Sequence, residues 1–156
     1  MSNLLRHGLK IFSALALLSG AHLVNAAEPA DAPGDALAPK HNVVIQVSTD
    51  DPKVQQLALN NAANVQKELG MDNVAIEIVA YGPGLSLLID KNPEAERVAS
   101  LATQNMTFSA CGNTIAAFTK KNNGVAPVLT TGVRIVPAGV IRIMELQEQG
   151  YSYIRP

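Results

Sequence analysis

Almost wholly apolar segments alternate with longer amphipathic ones along this chain, and this alternation constrains the fold more than any other feature. Residues 41–47 and 74–81 are rich in β-branched side chains and bounded by turn-forming residues, which is typical of buried strands. A strand that is apolar on both faces needs cover on both faces, and the parallel sheets of α/β proteins provide it. Further strands are predicted at 105–110, 132–136 and, at the edge of the sheet, 151–154.

Amphipathic segments between these strands predict helices. Asp51 can cap the first of them, because its side chain accepts from free amides, and Pro52 suits the first helical position. We interpret the acidic pair Asp50-Asp51 as this cap rather than as a metal or acid–base site, and Gly70 ends the helix. The other helical segments are a short helix or turn at 84–89 and helices at 92–103, 113–121 and 137–149. This order predicts a three-layer α/β/α sandwich with a mostly parallel sheet of about five strands.

The first 40 residues predict an exported protein. Arg6 and Lys10 precede an apolar run at 11–24, and small residues follow up to Ala26, which together form the three parts of a secretory signal peptide. The run is shorter than the roughly 20 apolar residues of a membrane span, although an uncleaved anchor is the alternative. The lack of an Arg-Arg pair favours Sec-type export to the periplasm or the medium. The predicted organisation is a signal peptide at 1–26, a flexible Ala/Pro/Asp-rich linker at 27–40 and one domain at 41–156.

The residues that remain after cleavage at Ala26 exclude several classes of function. Cleavage removes two of the 12 basic residues and none of the 13 acids, so the formal charge becomes −3 and neither nucleic acid nor an anionic membrane is an expected partner. His41 is then the one histidine, which excludes a multi-histidine metal site and leaves any Ser-His-Asp or Cys-His pair to rest on this residue. A single cysteine excludes an intrachain disulfide and a Cys-x-x-Cys redox motif. We therefore expect no metal and no cofactor.

That single cysteine, Cys111, lies between the third predicted strand and the third predicted helix. Ligands of parallel sheets bind beyond the carboxyl ends of the strands, and a helix N-terminus lowers the pKa of a thiol by favouring the thiolate. Gly112 leaves room for a substrate to approach the sulfur, and Asn113 or Thr114 can cap the helix and donate to an anion. A reactive thiol is one interpretation, and a buried cysteine that packs as a small apolar residue is the other.

Five segments around these features also carry a resemblance to a known family. They are Val-Val-Ile-Gln-Val at 43–47, Tyr-Gly-Pro-Gly at 81–84, Phe-Ser-Ala-Cys-Gly-Asn-Thr at 108–114, Val-Pro-Ala-Gly-Val at 136–140 and Glu-Leu-Gln-Glu-Gln-Gly-Tyr-Ser-Tyr-Ile at 145–154. Over residues 42–156 the chain resembles the DsrE/DsrF-like family of sulfur-relay proteins. The resemblance implies a compact α/β fold, assembly into homotrimers or homohexamers, and a cysteine, Cys111, that accepts sulfane sulfur and passes it on as a persulfide.

The resemblance further implies partners and a pocket. The partners are a sulfane-sulfur donor and an acceptor protein or small thiol, and the pocket includes Tyr81, Gly82 and Gly84 beside Cys111. Characterised members of the family act in the cytoplasm, whereas the N-terminal pattern of this chain predicts export. The first functional hypothesis is therefore an exported sulfur carrier that works through Cys111.

Two other hypotheses remain open at this point. One is a non-enzymatic, oligomeric module that binds a small molecule or a protein at the same rim of the sheet, with Cys111 in a structural role. The other, for which the sequence gives little support, is Cu(I) binding by Cys111 and Met106 across subunits. Arg134, in a predicted strand, could steer an anionic donor, although a solvated edge or a pair between subunits is the favoured interpretation.

Overall fold

Five parallel strands form the sheet of the computed structural model, which describes residues 41–156. The signal peptide predicted at 1–26 and the linker predicted at 27–40 lie outside the described residues. The strands are β1 (His41–Val47), β2 (Val74–Ala80), β3 (Met106–Cys111), β4 (Val133–Val136) and β5 (Ser152–Ile154). Their order across the sheet is β4-β3-β2-β1-β5, and every neighbouring pair is parallel. This confirms the predicted α/β class and places β5 at an edge.

Helical segments connect the strands. They are α1 (Pro52–Leu69), a 3₁₀-helical segment (Gly82–Leu88), α2 (Ala95–Ala102), α3 (Gly112–Lys121) and α4 (Gly139–Glu148). The cap predicted for α1 is confirmed, because the Asp51 carboxylate accepts the N–H of Lys53 at 2.9 Å and Pro52 is the first helical residue. Gly70 ends α1 with a φ of +88°, a left-handed conformation that glycine adopts without strain.

Two helices begin later than the sequence predicts. α2 begins at Ala95, three residues late, because the Asn92 side chain accepts the N–H of Glu94 at 2.8 Å and holds this stretch in a turn. α4 begins at Gly139, two residues late, because Ala138 has an extended backbone (φ −143°, ψ 120°). The second difference matters for function, since it sets which backbone N–H groups are free at the start of α4.

The two faces of the sheet are covered unequally. α1, α2, α3 and the 3₁₀ segment lie over one face, and their shared core includes the fully buried side chains of Ile45, Ile78 and Phe108. Within residues 41–156, α4 is the only helix over the other face, where Leu146 packs near Val79. The predicted three layers are present, but one outer layer consists of a single helix. No helix in this part of the chain has the length and apolar character needed to cross a membrane.

Candidate functional site

The thiol of Cys111 lies at the carboxyl end of the sheet, where β3 passes directly into α3. Cys111 is the last residue of β3 and occupies the cap position before Gly112, with φ −71° and ψ 116°. In the sheet it is paired with Val136 of β4. The residue is only 5% exposed. The sulfur therefore lies just below the surface, at the rim where the sequence predicts a ligand.

The hydroxyl of Thr114 and the backbone N–H groups of Gly139, Thr114 and Asn113 act as donors that stabilise the thiolate of Cys111. The N–H of Asn113 also donates to the carbonyl of Pro137 at 3.3 Å. Burial raises the pKa of the Cys111 thiol, but the four donors outweigh burial because they stabilise the thiolate, so the pKa lies below its ordinary value. The site thus favours the form of cysteine that acts as a nucleophile.

Thr114 joins two predicted site residues to the thiol. Its Oγ1 accepts the backbone N–H of Gly82 at 2.9 Å, which leaves the hydroxyl hydrogen free to point at the sulfur of Cys111. Gly82 belongs to the 3₁₀ segment after β2, and Thr114 belongs to the first turn of α3. The turn after β2 and the junction after β3, which the sequence analysis treats as one pocket, are therefore in direct contact.

Replacing Thr114 with valine should raise the pKa of the Cys111 thiol and lower the thiolate fraction about tenfold at a pH below that pKa. Valine has the shape of threonine without the hydroxyl, and a hydrogen bond to a charged group contributes about 1.5–3 kcal/mol. The ultraviolet absorbance of the thiolate across a pH range measures the change, because the chain has one cysteine. Thr114→Ser keeps the hydroxyl and should titrate like the wild type. An unchanged pKa in the valine variant would mean that the hydroxyl does not stabilise the thiolate.

The N-termini of two helices meet at the sulfur. Asn113 and Thr114 lie in the first turn of α3, and Gly139 is the first residue of α4. The free N–H groups and the macrodipoles of both helices favour negative charge. The α3 terminus was predictable from the sequence, whereas that of α4 was not. The sequence feature that could have indicated this terminus is the glycine at position 139. In the structure glycine permits a close approach here, because a Cβ at this position would lie 3.3 Å from the Cβ of Cys111.

Tyr81 and Gly112 lie beside Cys111 in packing positions. Tyr81 follows β2 and packs against the cluster under α4, and its Cδ1 would lie 3.2 Å from a Cβ on Gly139. A Cβ on Gly112 would lie 3.2 Å from the carbonyl oxygen of Val136, so glycine lets α3 begin close to β4. Both residues shape the walls around the sulfur, and their contact with a substrate stays a prediction.

Gly84, which the resemblance assigns to the pocket, is buried in the 3₁₀ segment. A Cβ at this position would overlap the carbonyl oxygen of Val47, so the segment can cross the end of β1 only with glycine here. Packing accounts for this glycine, while its contact with a ligand stays a prediction.

We expect Gly84→Ala to lower the free energy of unfolding by about 3 kcal/mol, the upper part of the range for overpacked sites. The added methyl group must push the 3₁₀ segment away from Val47. Urea unfolding measures the loss. Gly124→Ala is the matched control, because Gly124 has a φ of +85° in open space and should lose only about 1 kcal/mol through backbone strain. Equal losses in the two variants would contradict the packing explanation.

Two grooves lie near Cys111, although Cys111 itself lines neither of them. The α3 groove, of about 600 Å³, is lined by Asp50, Gly82, Pro83, Ser86, Asn113, Thr114, Ala117, Phe118 and Lys121. The α4 groove, of about 330 Å³, is lined by Arg134, Ile135, Val136, Pro137, Ala138, Ile141, Arg142 and Glu145. Asn113 and Thr114, which donate to the sulfur, form part of the wall of the α3 groove. The α3 groove therefore adjoins two of the residues that stabilise the thiolate.

A buried ionic cluster that the sequence did not predict lies under α4. Glu77 is only 3% exposed, and its carboxylate accepts four hydrogen bonds. Arg142 donates through Nε at 2.9 Å and through Nη2 at 2.8 Å. Nη2 of Arg134 and the hydroxyl of Ser109 each donate at 2.6 Å. Burial raises the pKa of Glu77, but these donors outweigh it, and the pKa lies below its ordinary value. The sequence feature that could have indicated this cluster is Glu77 itself, the one charged residue in the otherwise apolar β2.

Arg134 lies on the edge strand β4 with its side chain 48% exposed, which agrees with the predicted solvated edge residue. It also pairs with Glu77 and Ser109 of the same chain, a contact that the sequence did not predict. The pair between subunits stays a prediction. The intrachain contact was missed because nothing in the spacing of these residues indicates that β2, β3 and β4 present them on the same face of the sheet.

The Cu(I) hypothesis gains no support from the described residues. Met106 and Cys111 are the first and last residues of β3, so they lie about 17 Å apart at the usual rise of a strand and cannot share a metal ion within one chain. Residues 41–156 contain no group of three or more His, Cys, Asp or Glu side chains placed to hold a metal ion.

Comparisons with known proteins agree with the architecture. The model of the DsrE/DsrF-like family matches residues 41–156. MTH1491 from Methanobacterium thermoautotrophicum, a protein of unknown function, is 33% identical with a TM-score of 0.66, over 74% of this chain and 99% of that one. The ychN protein from E. coli is similar in fold, with 13% identity and a TM-score of 0.56 over 76% of this chain and 100% of that one. No curated protein matches the chain.

Proposed function

Because this chain belongs to the DsrE/DsrF-like family, we propose that it accepts and transfers sulfane sulfur through a persulfide on Cys111. The observation that carries the proposal is the convergence of four donors and two helix N-termini on the one thiol of the chain. A thiolate is the nucleophile in such exchange reactions, and one thiolate suffices. The intact masses of the wild type and of Cys111→Ser, before and after treatment with a sulfane donor, test the proposal.

Loading moves one sulfur atom and requires no external oxidant or reductant. The Cys111 thiolate attacks the outer sulfur of a donor persulfide, R–S–SH, the donor S–S bond breaks, and its electron pair leaves with R–S⁻. Cys111 then holds the sulfur as Cys–S–SH. In unloading, an acceptor thiolate attacks the outer sulfur and Cys111 departs as the thiolate. The donors around the sulfur assist this second step, because a thiol of lower pKa is the better leaving group.

We place the donor and the acceptor in the α3 groove. Its volume of about 600 Å³ suits a small thiol or the end of a peptide segment. Lys121 and Asp50 lie in its wall with opposite charges, and Phe118 adds an apolar surface. The groove thus matches a zwitterionic or peptide-like thiol, which agrees with a small thiol or an acceptor protein as partner.

Export and self-association are part of the same proposal. The signal peptide predicted at 1–26 supports transfer of the chain out of the cytoplasm, and a persulfide carrier with one cysteine needs no resolving thiol there. Four large apolar side chains on β4 and α4 expose half of their surface or more: Ile135, Val140, Ile141 and Met144. They support the homotrimer or homohexamer that the family implies, because a contiguous exposed apolar surface marks an interface.

The low exposure of Cys111 favours a second candidate function. A residue that is 5% exposed also suits a structural cysteine in a module that binds a small molecule or a protein at the same rim. That candidate predicts a thiol that alkylating reagents reach only after the protein unfolds. Rapid labelling of the native protein by iodoacetamide would contradict it, and labelling that requires urea would contradict the sulfur carrier.

A further inference from the structure

Gly139 lies against Cys111, since a Cβ on this glycine would be 3.3 Å from the Cβ of Cys111. Its N–H can stabilise the thiolate only while the first turn of α4 keeps its place on the sheet. In residues 41–156 no other helix lies over that face, so no neighbouring helix holds α4. Val140 and Ile141, in the first turn, are each 52% exposed. The apolar side chains by which α4 packs, Ile143 and Leu146, come later in the helix. Within the first turn Gly139 is buried against Tyr81 and Cys111, but glycine has no side chain that could fix the orientation of the turn.

Arg142 supplies the missing contact. Its guanidinium meets Glu77 with two hydrogen bonds, of 2.9 and 2.8 Å, and this fork geometry fixes orientation as well as distance. The N–H of Arg142 donates to the carbonyl of Ala138 at 3.0 Å, so the clamped residue also closes the first turn of α4. A cation in the first turn of a helix opposes the macrodipole. The position of Arg142 is thus explained by Glu77 and not by the stability of the helix.

Glu77 on β2 is anchored to β3, the strand that carries the thiol, and to β4 beyond it. The hydroxyl of Ser109 on β3 and the guanidinium of Arg134 on β4 both donate to its carboxylate at 2.6 Å. Ser109 precedes Cys111 by two residues, so both side chains leave the same face of β3, about 7 Å apart along the strand. One carboxylate therefore connects three neighbouring strands to the helix that reaches the sulfur.

We propose that Glu77 is a positioning residue for Cys111, which acts through Arg142 to hold the first turn of α4 and keep the Gly139 N–H against the sulfur. Glu77 does not touch the substrate. The proposal deepens the proposed function and rests on it only in treating Cys111 as the reacting group.

Charges near the thiol also act through space, and this effect must be separated from positioning. The charged residues on the elements that surround the thiol are Glu77 on β2, Arg134 on β4, Arg142, Glu145 and Glu148 on α4, and Lys120 and Lys121 at the far end of α3. Tyr81 is the titratable side chain beside the site. Through space, loss of the Glu77 carboxylate would lower the pKa of the thiol, because a like charge disappears. Loss of positioning would raise it, because the thiolate loses a donor.

Glu77→Gln distinguishes the two effects by sign. Ultraviolet titration of the thiolate in the purified protein, with the titration of Cys111→Ser subtracted, reports the pKa of this one thiol. We expect the pKa to rise, with a thiolate fraction about threefold to tenfold lower at a pH below that pKa. Arg142→Lys is the second variant, because it keeps the positive charge and loses the fork. We expect its thiol pKa to rise as well.

Glu145→Gln is the matched control. Glu145 contacts Nη1 of Arg142 at 3.3 Å, is 49% exposed and takes no part in the fork onto Glu77, so its loss should leave the titration unchanged. A lower or unchanged thiol pKa in Arg142→Lys would overturn the proposal, and so would a lower pKa in folded Glu77→Gln. Circular dichroism establishes folding, and Arg142→Lys decides alone if Glu77→Gln does not fold. The titration uses no sulfur donor, so a wild type that fails to load sulfur would overturn the proposed function separately.

Discussion

Cys111→Ser should abolish sulfur loading while leaving the fold intact. Cys111 is the only cysteine of the chain, and no other side chain here can hold a sulfane sulfur as a persulfide. Serine is close in size to cysteine and can accept the same hydrogen bonds from Thr114 and Gly139, so the site should keep its shape. Intact mass after treatment with an inorganic polysulfide measures loading. The wild type should gain whole sulfur atoms that dithiothreitol removes, and the variant should gain none.

Two outcomes would contradict this expectation. Reducible sulfur on Cys111→Ser would place the carrier chemistry elsewhere. A wild-type mass that does not change with any donor would remove the support for a sulfur carrier and favour the binding module. The far-ultraviolet circular dichroism and oligomeric state of the two proteins are the controls, because a misfolded variant would also fail to load.

Glu77→Ala should be among the most destabilising single substitutions in the domain, with a loss of about 3 kcal/mol in the free energy of unfolding. The change leaves Arg142 and Arg134 side by side without a counter-charge and removes the acceptor of the Ser109 hydroxyl. Removing one partner of a buried ion pair costs roughly 3–5 kcal/mol. We expect the lower end, because the Arg134 side chain is 48% exposed and can turn to water. Urea unfolding at neutral pH measures the loss.

The matched control replaces the whole cluster. With Glu77, Arg134 and Arg142 all changed to methionine, no buried charge is left unpaired, because Glu145 is 49% exposed, and much of the lost stability should return. A loss below about 1 kcal/mol in Glu77→Ala would mean that solvent compensates the two arginines and that the cluster is not structural, since that is the range of exposed ion pairs.

The same carboxylate should make stability depend on pH in the acid range. Burial raises the pKa of Glu77, but its donors outweigh burial and hold the folded-state pKa below the ordinary value of 4.5. The contribution of Glu77 is therefore complete above about pH 4.5 and is lost as the pH falls through the folded-state pKa. Glu77→Ala should show a smaller loss of stability over that range than the wild type, as measured by urea unfolding at several pH values.

The fold was predictable wherever neighbouring residues carry the information. β-branched runs marked the strands, and Asp51, Pro52 and Gly70 marked the ends of α1 through local hydrogen bonding and backbone preference. Where the boundaries differed, the cause was a specific conformation: the side-chain bond of Asn92 delays α2, and the extended backbone of Ala138 delays α4. The spacing of apolar residues does not indicate either of these two conformations.

In the candidate site, too, the residues that are close in sequence were predictable and the more distant one was not. Cys111 and Thr114 adjoin each other at a strand-to-helix junction, so general rules of parallel sheets placed them at the rim. Gly139 comes from a different helix, and its part in the site depends on how α4 crosses the sheet. The pocket segment 81–84 was assigned through resemblance as one unit, whereas the structure places Gly82 on the α3 groove and buries Gly84 against Val47.

Short-range chemistry was thus sufficient for the α/β class, the cap of α1 and a lone thiol at a helix start, because hydrophobic period, capping and residue counts can be read from neighbouring positions. The second helix N-terminus at the sulfur and the clamp between Glu77 and Arg142 required the folded chain. Those two side chains are 65 residues apart and meet because strand order and helix packing bring β2 under α4. No local pattern encodes that meeting, since its energy arises from burial and charge pairing that exist only in the assembled sheet.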